Sequence, residues 1–265
     1  MTTIFDLLEE ATRPVLDAVP VRPSCSDIYA PDATDADVER LRYPMSRSPD
    51  PGDLVAEIEE HNAYMARLRG TPFVENGDLS DEAMRAFDVM LRGPVRVMVS
   101  GVYAGAAEPL DVRCYADEKV GVVWKFGQEA IAVRGGRFPE IFDVATGFLP
   151  AEPRGRAETI FLPADPDGVI PDSHRREAAQ LRRFLRRRRR GTAVVDMLAF
   201  HNIFADYPDL ALVVIDNALG RHVLGCWGTG MVLRPVGQGW LSWWMRECVA
   251  EVMTSGVGGT SEPNL

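Results

Sequence analysis

Hydrophobic positions change their period sharply along the chain. Over the first ninety residues they recur at three and four, the spacing of one buried helix face; from Pro94 onward they mostly recur at two, the spacing of a half-buried strand. Residues 4–10 read as a short amphipathic helix ending near Arg13, because Pro14 disfavours helical backbone at the residue before it. Pro20, Pro23, Pro31, Pro44, Pro49 and Pro51 then interrupt the chain, so residues 21–52 read as mostly loop with one helical piece over 35–42. Asp53 is a good N-cap for a helix through Leu54, Ile58, Ala63, Met65 and Leu68 that stops at Gly70. Residues 80–91 form a further predicted helix, with Ala83, Phe87, Met90 and Leu91 on one face and Gly93-Pro94 closing it.

Beyond Pro94, Val95, Val97, Val99 and Val102 alternate with polar or smaller residues, and strand-like runs follow at 110–115, 120–126 and 130–133. Only a few residues connect these runs, with Gly127-Gln128-Glu129 the clearest turn; parallel pairing needs a much longer crossover, so the neighbours are antiparallel. A helix over 139–149 and a strand over 159–162 come next. The order then recurs: a helix over 173–190, strands over 193–200, 210–215, 222–224 and 231–233, and a closing helix over 240–253. Four strands and a helix thus occur twice, roughly a hundred residues apart. The expectation is an α+β fold of two quasi-symmetric antiparallel halves flanked by helices and joined edge to edge about a pseudo-twofold axis, which would hide open sheet edges. Its divisions are a helical and loop region packing on the sheet (1–93), a first sheet half (94–163), a second half with the closing helix (164–255) and a flexible tail (256–265).

Composition narrows the function classes. Of 265 residues, 46% are hydrophobic and 26% charged, an ordinary globular balance that excludes wholesale disorder. A net charge of −10 repels phosphate backbones and disfavours general nucleic-acid binding unless basic residues cluster. No apolar run is long enough for a membrane span, and residues 1–10 carry three acids and no early basic residue, unlike a secretory signal. Cys25, Cys114, Cys226 and Cys248 are scattered, which suits reduced thiols in a cytoplasmic protein better than a disulfide framework or a zinc site.

Catalytic spacings are missing. There is no phosphate-binding glycine loop, no H-E-x-x-H and no G-x-S-x-G, and Gly228-Thr229-Gly230 lies within a predicted hairpin. His61, His174, His201 and His222 are too far apart to pair on one local element, so no metal or other cofactor is expected. His201-Asn202 beside Asp206 can be drawn as part of a hydrolase triad with Cys114 or Cys226, but a strand-end histidine bonded locally is the favoured reading. Glu57, Glu59 and Glu60 lie along a predicted helix as a solvated face. Residues 216–221, Asp-Asn-Ala-Leu-Gly-Arg, follow one apolar strand and precede another, and a hairpin turn explains them.

Two segments remain. Residues 182–190 hold seven arginines: Arg182, Arg183, Arg186, Arg187, Arg188, Arg189 and Arg190. Over 173–190 nine arginines face one glutamate, a local charge of +8 against −18 for the rest. The run reads either as a basic patch for an acidic protein or nucleic acid, or as an exposed helix end whose cations complement the helix dipole before Gly191. In the closing helix, a stripe through Leu241, Trp244, Met245, Cys248 and Val252 faces the sheet, while Trp240 and Trp243 fall off it. Either helix and sheet wrap all three tryptophans, or the outlying pair marks a protein contact.

The order of segments resembles the EspG family of actinobacterial type VII (ESX) secretion chaperones, best over residues 80–255. The resemblance lies in Leu79-Ser80-Asp81-Glu82 leading into a helix that ends at Gly93-Pro94, then residues 95–101, the strand pattern over 120–133, and an ending of an apolar strand into Asp216, Gly220-Arg221, residues 232–235 and an amphipathic helix. It implies a two-halved α+β fold, no enzymatic activity, and cytosolic binding of PE–PPE heterodimers at the hydrophobic tip of the PPE helical bundle. It further implies a secretion-system ATPase as a downstream contact, a monomer in the complex and room for a homodimer when free. The implied interface lies on second-half strands and the closing helix, which makes Trp240, Trp243, Trp244, Met231, Arg234 and Arg221 the partner-binding candidates.

Overall fold

A reciprocal cap opens the first helix: Thr3 Oγ1 accepts from the Asp6 N–H at 3.1 Å while the Asp6 carboxylate accepts from the Thr3 N–H at 2.9 Å. The computed structural model describes residues 2–18, 74–76, 78–117, 119–126, 131–199 and 210–255. Helix α1 (Ile4–Leu16) continues through Pro14, contrary to the expected stop near Arg13. Proline cannot donate to the carbonyl four residues back, here Glu10. That carbonyl is taken instead by Arg189, whose guanidinium donates to Glu10 O at 3.1 Å and to Ala11 O at 2.7 Å. A distant side chain therefore replaces the missing bond, and the last turn survives. The predicted pieces over 21–52 and 53–69, the turn at 127–129 and the tail from 256 lie outside the described residues.

A two-stranded ribbon, β1 (Val74–Glu75) and β2 (Asp78–Leu79), precedes α2 (Asp81–Arg92), whose first turn is capped by the Ser80 hydroxyl. Four strands follow as expected: β3 (Val95–Tyr103), β4 (Leu110–Ala116), β5 (Val120–Phe126) and β6 (Ile131–Arg137). After α3 (Ile141–Thr146) and β7 (Ile160–Pro163), a 3₁₀ turn (Asp172–His174) leads into α4 (Arg175–Leu185). The chain ends in β8 (Arg189–Ala199), β9 (Leu210–Asn217), β10 (Gly220–Trp227), β11 (Gly230–Pro235) and α5 (Trp240–Ser255).

All the strands from β3 onward form one nine-stranded antiparallel sheet in the order β6-β5-β4-β3-β8-β9-β10-β11-β7. The halves meet where β3 pairs with β8, from Val95 opposite Ala199 to Tyr103 opposite Gly191. Strand alternation sends successive side chains to opposite faces, so two cores result. On the first face Val97, Val99, Val112, Val195, Leu212 and Val214 pack against α3 and α5. On the second, Val213, Ile215, Leu224 and Leu233 pack against α1 and α4, and Val122 and Trp124 against α2. Helices α3 and α5 thus cover the first face, and α1, α2 and α4 the second.

β7 departs from simple repetition. Although it follows α3 in sequence, it crosses to the far edge and pairs with β11, Phe161 opposite Val232. Residues 150–157 make the crossing, fastened along the start of β10: the Arg221 N–H donates to Pro153 O and the Arg156 N–H to Leu219 O, both at 2.9 Å. His222, fully buried, completes the seam. Its Nδ1 lies 3.0 Å from Gly220 O, its Nε2 accepts from the Ala157 N–H at 3.2 Å, and its ring meets Phe184 edge-on. Gly155 is required here, since a Cβ would run into Arg221 O and the His222 ring.

Only a neutral imidazole accepts at Nε2, and burial holds the His222 pKa below its ordinary 6.5 against the opposing pull of Gly220 O. The unfolded chain therefore takes up this proton at higher pH than the folded one, so the His222 contribution is intact above 6.5 and declines as pH falls below it. Thermal melts should show wild-type Tm falling more steeply below that pH than His222→Gln. Parallel curves for the two proteins would remove His222 as the cause.

Candidate functional site

Helix α5 lies on the first face with Leu241, Trp244, Met245, Cys248 and Val249 turned into the core. Trp244 is 7% exposed and Trp243, one position earlier, 47%. Trp240 is half-buried, its ring stacked 6.2 Å from that of Trp244, with the Arg234 guanidinium 5.1 Å from its centroid on the other element. A cation over an indole face contributes about 0.5–1 kcal/mol at such partly exposed sites. The three tryptophans thus divide: Trp244 anchors, Trp240 bridges helix and sheet, and Trp243 faces solvent 6.2 Å from Trp240. Helix α5 is tied to α3 by the Arg246–Asp143 ion pair.

Phe161 was not singled out in the sequence. Its neighbours Ile160 and Leu162 fill the second-face core, so alternation turns Phe161 to the first face, where it is 52% exposed. Val232 opposite it and Arg234 two residues on belong to that same face of β11. Phe161, Val232, Arg234, Trp240 and Trp243 consequently share the face occupied by α5. The signal was present in the 159–162 alternation, but which sheet edge the strand would join was not.

Three candidates leave this surface. Met231 is fully buried among second-face residues, and Trp244 belongs to the first-face core. Arg221 is likewise sealed, at 0% exposure, because it is bonded on every side: Nε and Nη2 to the two Asp216 carboxylate oxygens at 2.9 and 2.7 Å, Nη1 to Gln238 Oε1 at 3.1 Å, and Nη2 to Pro150 O at 2.7 Å. A bidentate fork suits guanidinium and carboxylate geometry, and Asp216 is the cross-strand partner of Arg221. Nearby Tyr103 has its pKa pushed far up, by burial first and the Asp216 charge second, so its phenol stays neutral. Arg221 is a buried structural node, not part of the exposed surface.

The arginine run also divides. Helix α4 ends at Leu185, where its apolar contacts run out, instead of continuing to residue 190; Arg189 and Arg190 open β8. Arg189 holds Leu185 O at 3.0 Å together with the α1 carbonyls, Arg190 pairs with Glu152 at 3.1 Å, and Arg186 lies 3.5 Å from Glu10. Arg182 is half-buried, and its charge helps lower the Asp6 pKa after the Thr3 hydrogen bonds have done most of it. Arg183, Arg187 and Arg188 are exposed.

Among the described residues, neither cysteine proposed as a nucleophile is equipped for hydrolysis. Cys114 is buried in the first-face core, and desolvation pushes the Cys226 thiol up, away from the thiolate a nucleophile needs. His201, Asn202 and Asp206 lie outside the described residues. A depression of about 480 Å³ lined by Val74, Glu75, Ser80, Asp81 and Glu82 carries carboxylates, and the Ser80 hydroxyl caps α2. Among the described residues no three metal-ligating side chains converge, and no helix is long and apolar enough to cross a membrane.

No protein-family model and no curated protein matches the sequence. Among solved structures, the chain is similar to the Mycobacterium tuberculosis type VII secretion system chaperone EspG5, determined in complex with a PE25-PPE41 dimer. That similarity covers 94% of this chain and 95% of the other, at 10% identity and a TM-score of 0.48.

The division of the tryptophans is measurable. In denaturant titrations Trp244→Ala should lose about 3–5 kcal/mol, while Trp243→Ala should stay within about 1 kcal/mol of wild type. Equal losses would mean that Trp243 is also core. For the node, Arg221→Met should cost about 3–5 kcal/mol by stranding a buried carboxylate, and Arg221→Met with Asp216→Leu should recover much of it. A double variant no better than the single one would show that the bonds to Pro150 and Gln238 dominate instead.

Proposed function

We propose that this chain is a cytosolic, non-enzymatic chaperone that binds a PE–PPE-type secretion substrate and shields the hydrophobic tip of its helical bundle. The observation that carries the reading is the exposed apolar set on one sheet face: Trp243 on α5 and Phe161 on β7, with the half-buried Trp240 held between Trp244 and Arg234. Large aromatics kept in water by a rigid scaffold lose little conformational entropy on binding and bury much area, as hot-spot residues do. Helix α5 supplies the rigidity, since its opposite side is locked into the core. An apolar helical tip, which aggregates when bare, is a complementary occupant. The partner class follows the resemblance in segment order, and the interface is assigned to Trp240, Trp243, Arg234 and Phe161.

Co-expression with a PE–PPE-type pair should give one stoichiometric species on size exclusion. Trp243→Ala and Phe161→Ala should each weaken it by about tenfold or more, with the free chaperone's melting curve almost unchanged. A complex that tolerates both substitutions would refute the assigned surface, and no complex with any such pair would refute the partner class.

A further inference from the structure

We propose a second interaction surface, on the opposite side of the sheet from Trp243, that docks an acidic segment of a partner protein. Its core is Arg183, Arg187 and Arg188, joined by Arg156 from the crossover segment. The fold brings these together: Arg189 stands opposite Asn217, and the Arg156 N–H is bonded to Leu219 O, so residues 186–190 and Arg156 flank the same turn between β9 and β10. Sequence alone separates Arg156 from the run by some thirty residues.

The charge exceeds what the described residues neutralise. Arg189 already satisfies the end of α4 and of α1, Arg190 is matched by Glu152, and Arg186 lies beside Glu10. Arg183 reaches only a carbonyl of its own helix, at 3.4 Å. Arg187, Arg188 and Arg156 are exposed and have no charge partner among the described residues. Neighbouring like charges repel, so cations without a charge partner among the described residues gain from an external anion. Arg187 and Arg188 also lie beyond the last residue of α4, outside the helical turn that its dipole favours.

Carboxylates are the favoured anion. The guanidinium fork binds carboxylate in a bidentate manner. The remainder of the chain carries −18, which repels a long polyanion extending past the patch. The one aromatic within the run, Phe184, is buried and offers no base a stacking surface. Helices α1 and α4 cover the second face and α5 the first, so this surface and the Trp243 surface can be filled together. The proposal does not depend on the cargo reading.

The test is fluorescence anisotropy of a labelled short poly-glutamate peptide titrated with the full-length protein. Saturable binding is expected, weakening about tenfold or more as salt rises past physiological strength. Arg183→Gln/Arg187→Gln/Arg188→Gln should abolish it while leaving circular dichroism intact and the melting temperature no lower than wild type, and Trp243→Ala should bind as wild type. Peptide binding that survives the triple substitution, or matches that of a neutral peptide, overturns the proposal. Tighter, equally arginine-dependent binding of a single-stranded oligonucleotide of matched charge overturns it in favour of a phosphate polymer. Loss of peptide binding in Trp243→Ala would overturn the separateness of the two surfaces.

Discussion

A guanidinium and a carboxylate closed off from water hold four stretches of chain at one point. Arg221 and Asp216 join neighbouring strands, and the remaining Arg221 donors reach Pro150 at the start of the crossover and Gln238 just before α5. Stripping water from two ions is costly, and their attraction offsets that cost only when every donor finds an oxygen. Here all three guanidinium nitrogens do. The orientation of α5, and with it the exposure of Trp243, therefore depends on a polar cluster at the edge of an apolar core. The exposed surface and the buried pair belong to one arrangement.

A second polar device occurs twice, once in each half. Four residues past the end of α2, Arg96 is fully buried and donates to Met90 O at 2.7 Å and Leu91 O at 3.0 Å. Four residues past the end of α4, Arg189 does the same for Leu185 O and reaches across to α1. Helix ends leave carbonyls without partners, and each half answers with an arginine from its own first strand. The repeat unreadable in side-chain identity is thus visible in what the side chains do.

Much of the architecture was legible because it is written in local period. The β3 alternation, the 120–126 strand, the Ser80 cap and the apolar stripe of α5 are all short-range signals, and the structure carries each of them. What failed was non-local. Pro14 ends a helix unless something else takes the orphaned carbonyl, and that something lies 179 residues away in Arg189. Beyond Leu185 the arginine run has no apolar residue, so its period does not show whether α4 continues. Arg221 reads as a surface cation until Asp216, Gln238 and Pro150 are brought around it. Of the surface candidates, Trp243 was legible as the residue off the stripe, whereas Phe161 needed knowledge of the edge its strand joins.

The passage of β7 to the far edge bears on how the chain is made. This strand leaves the ribosome about seventy residues before β11, the only sheet neighbour it has in the described structure. Likewise β3 waits for β8 across about ninety residues. Neither half can complete its sheet as it emerges; β7 has no strand partner in the described structure until the last hairpin is synthesised. Closure of the sheet is then a late, concerted event that joins beginning and end at once, and a nascent chain stalled before β11 exposes the very edge that the finished protein conceals.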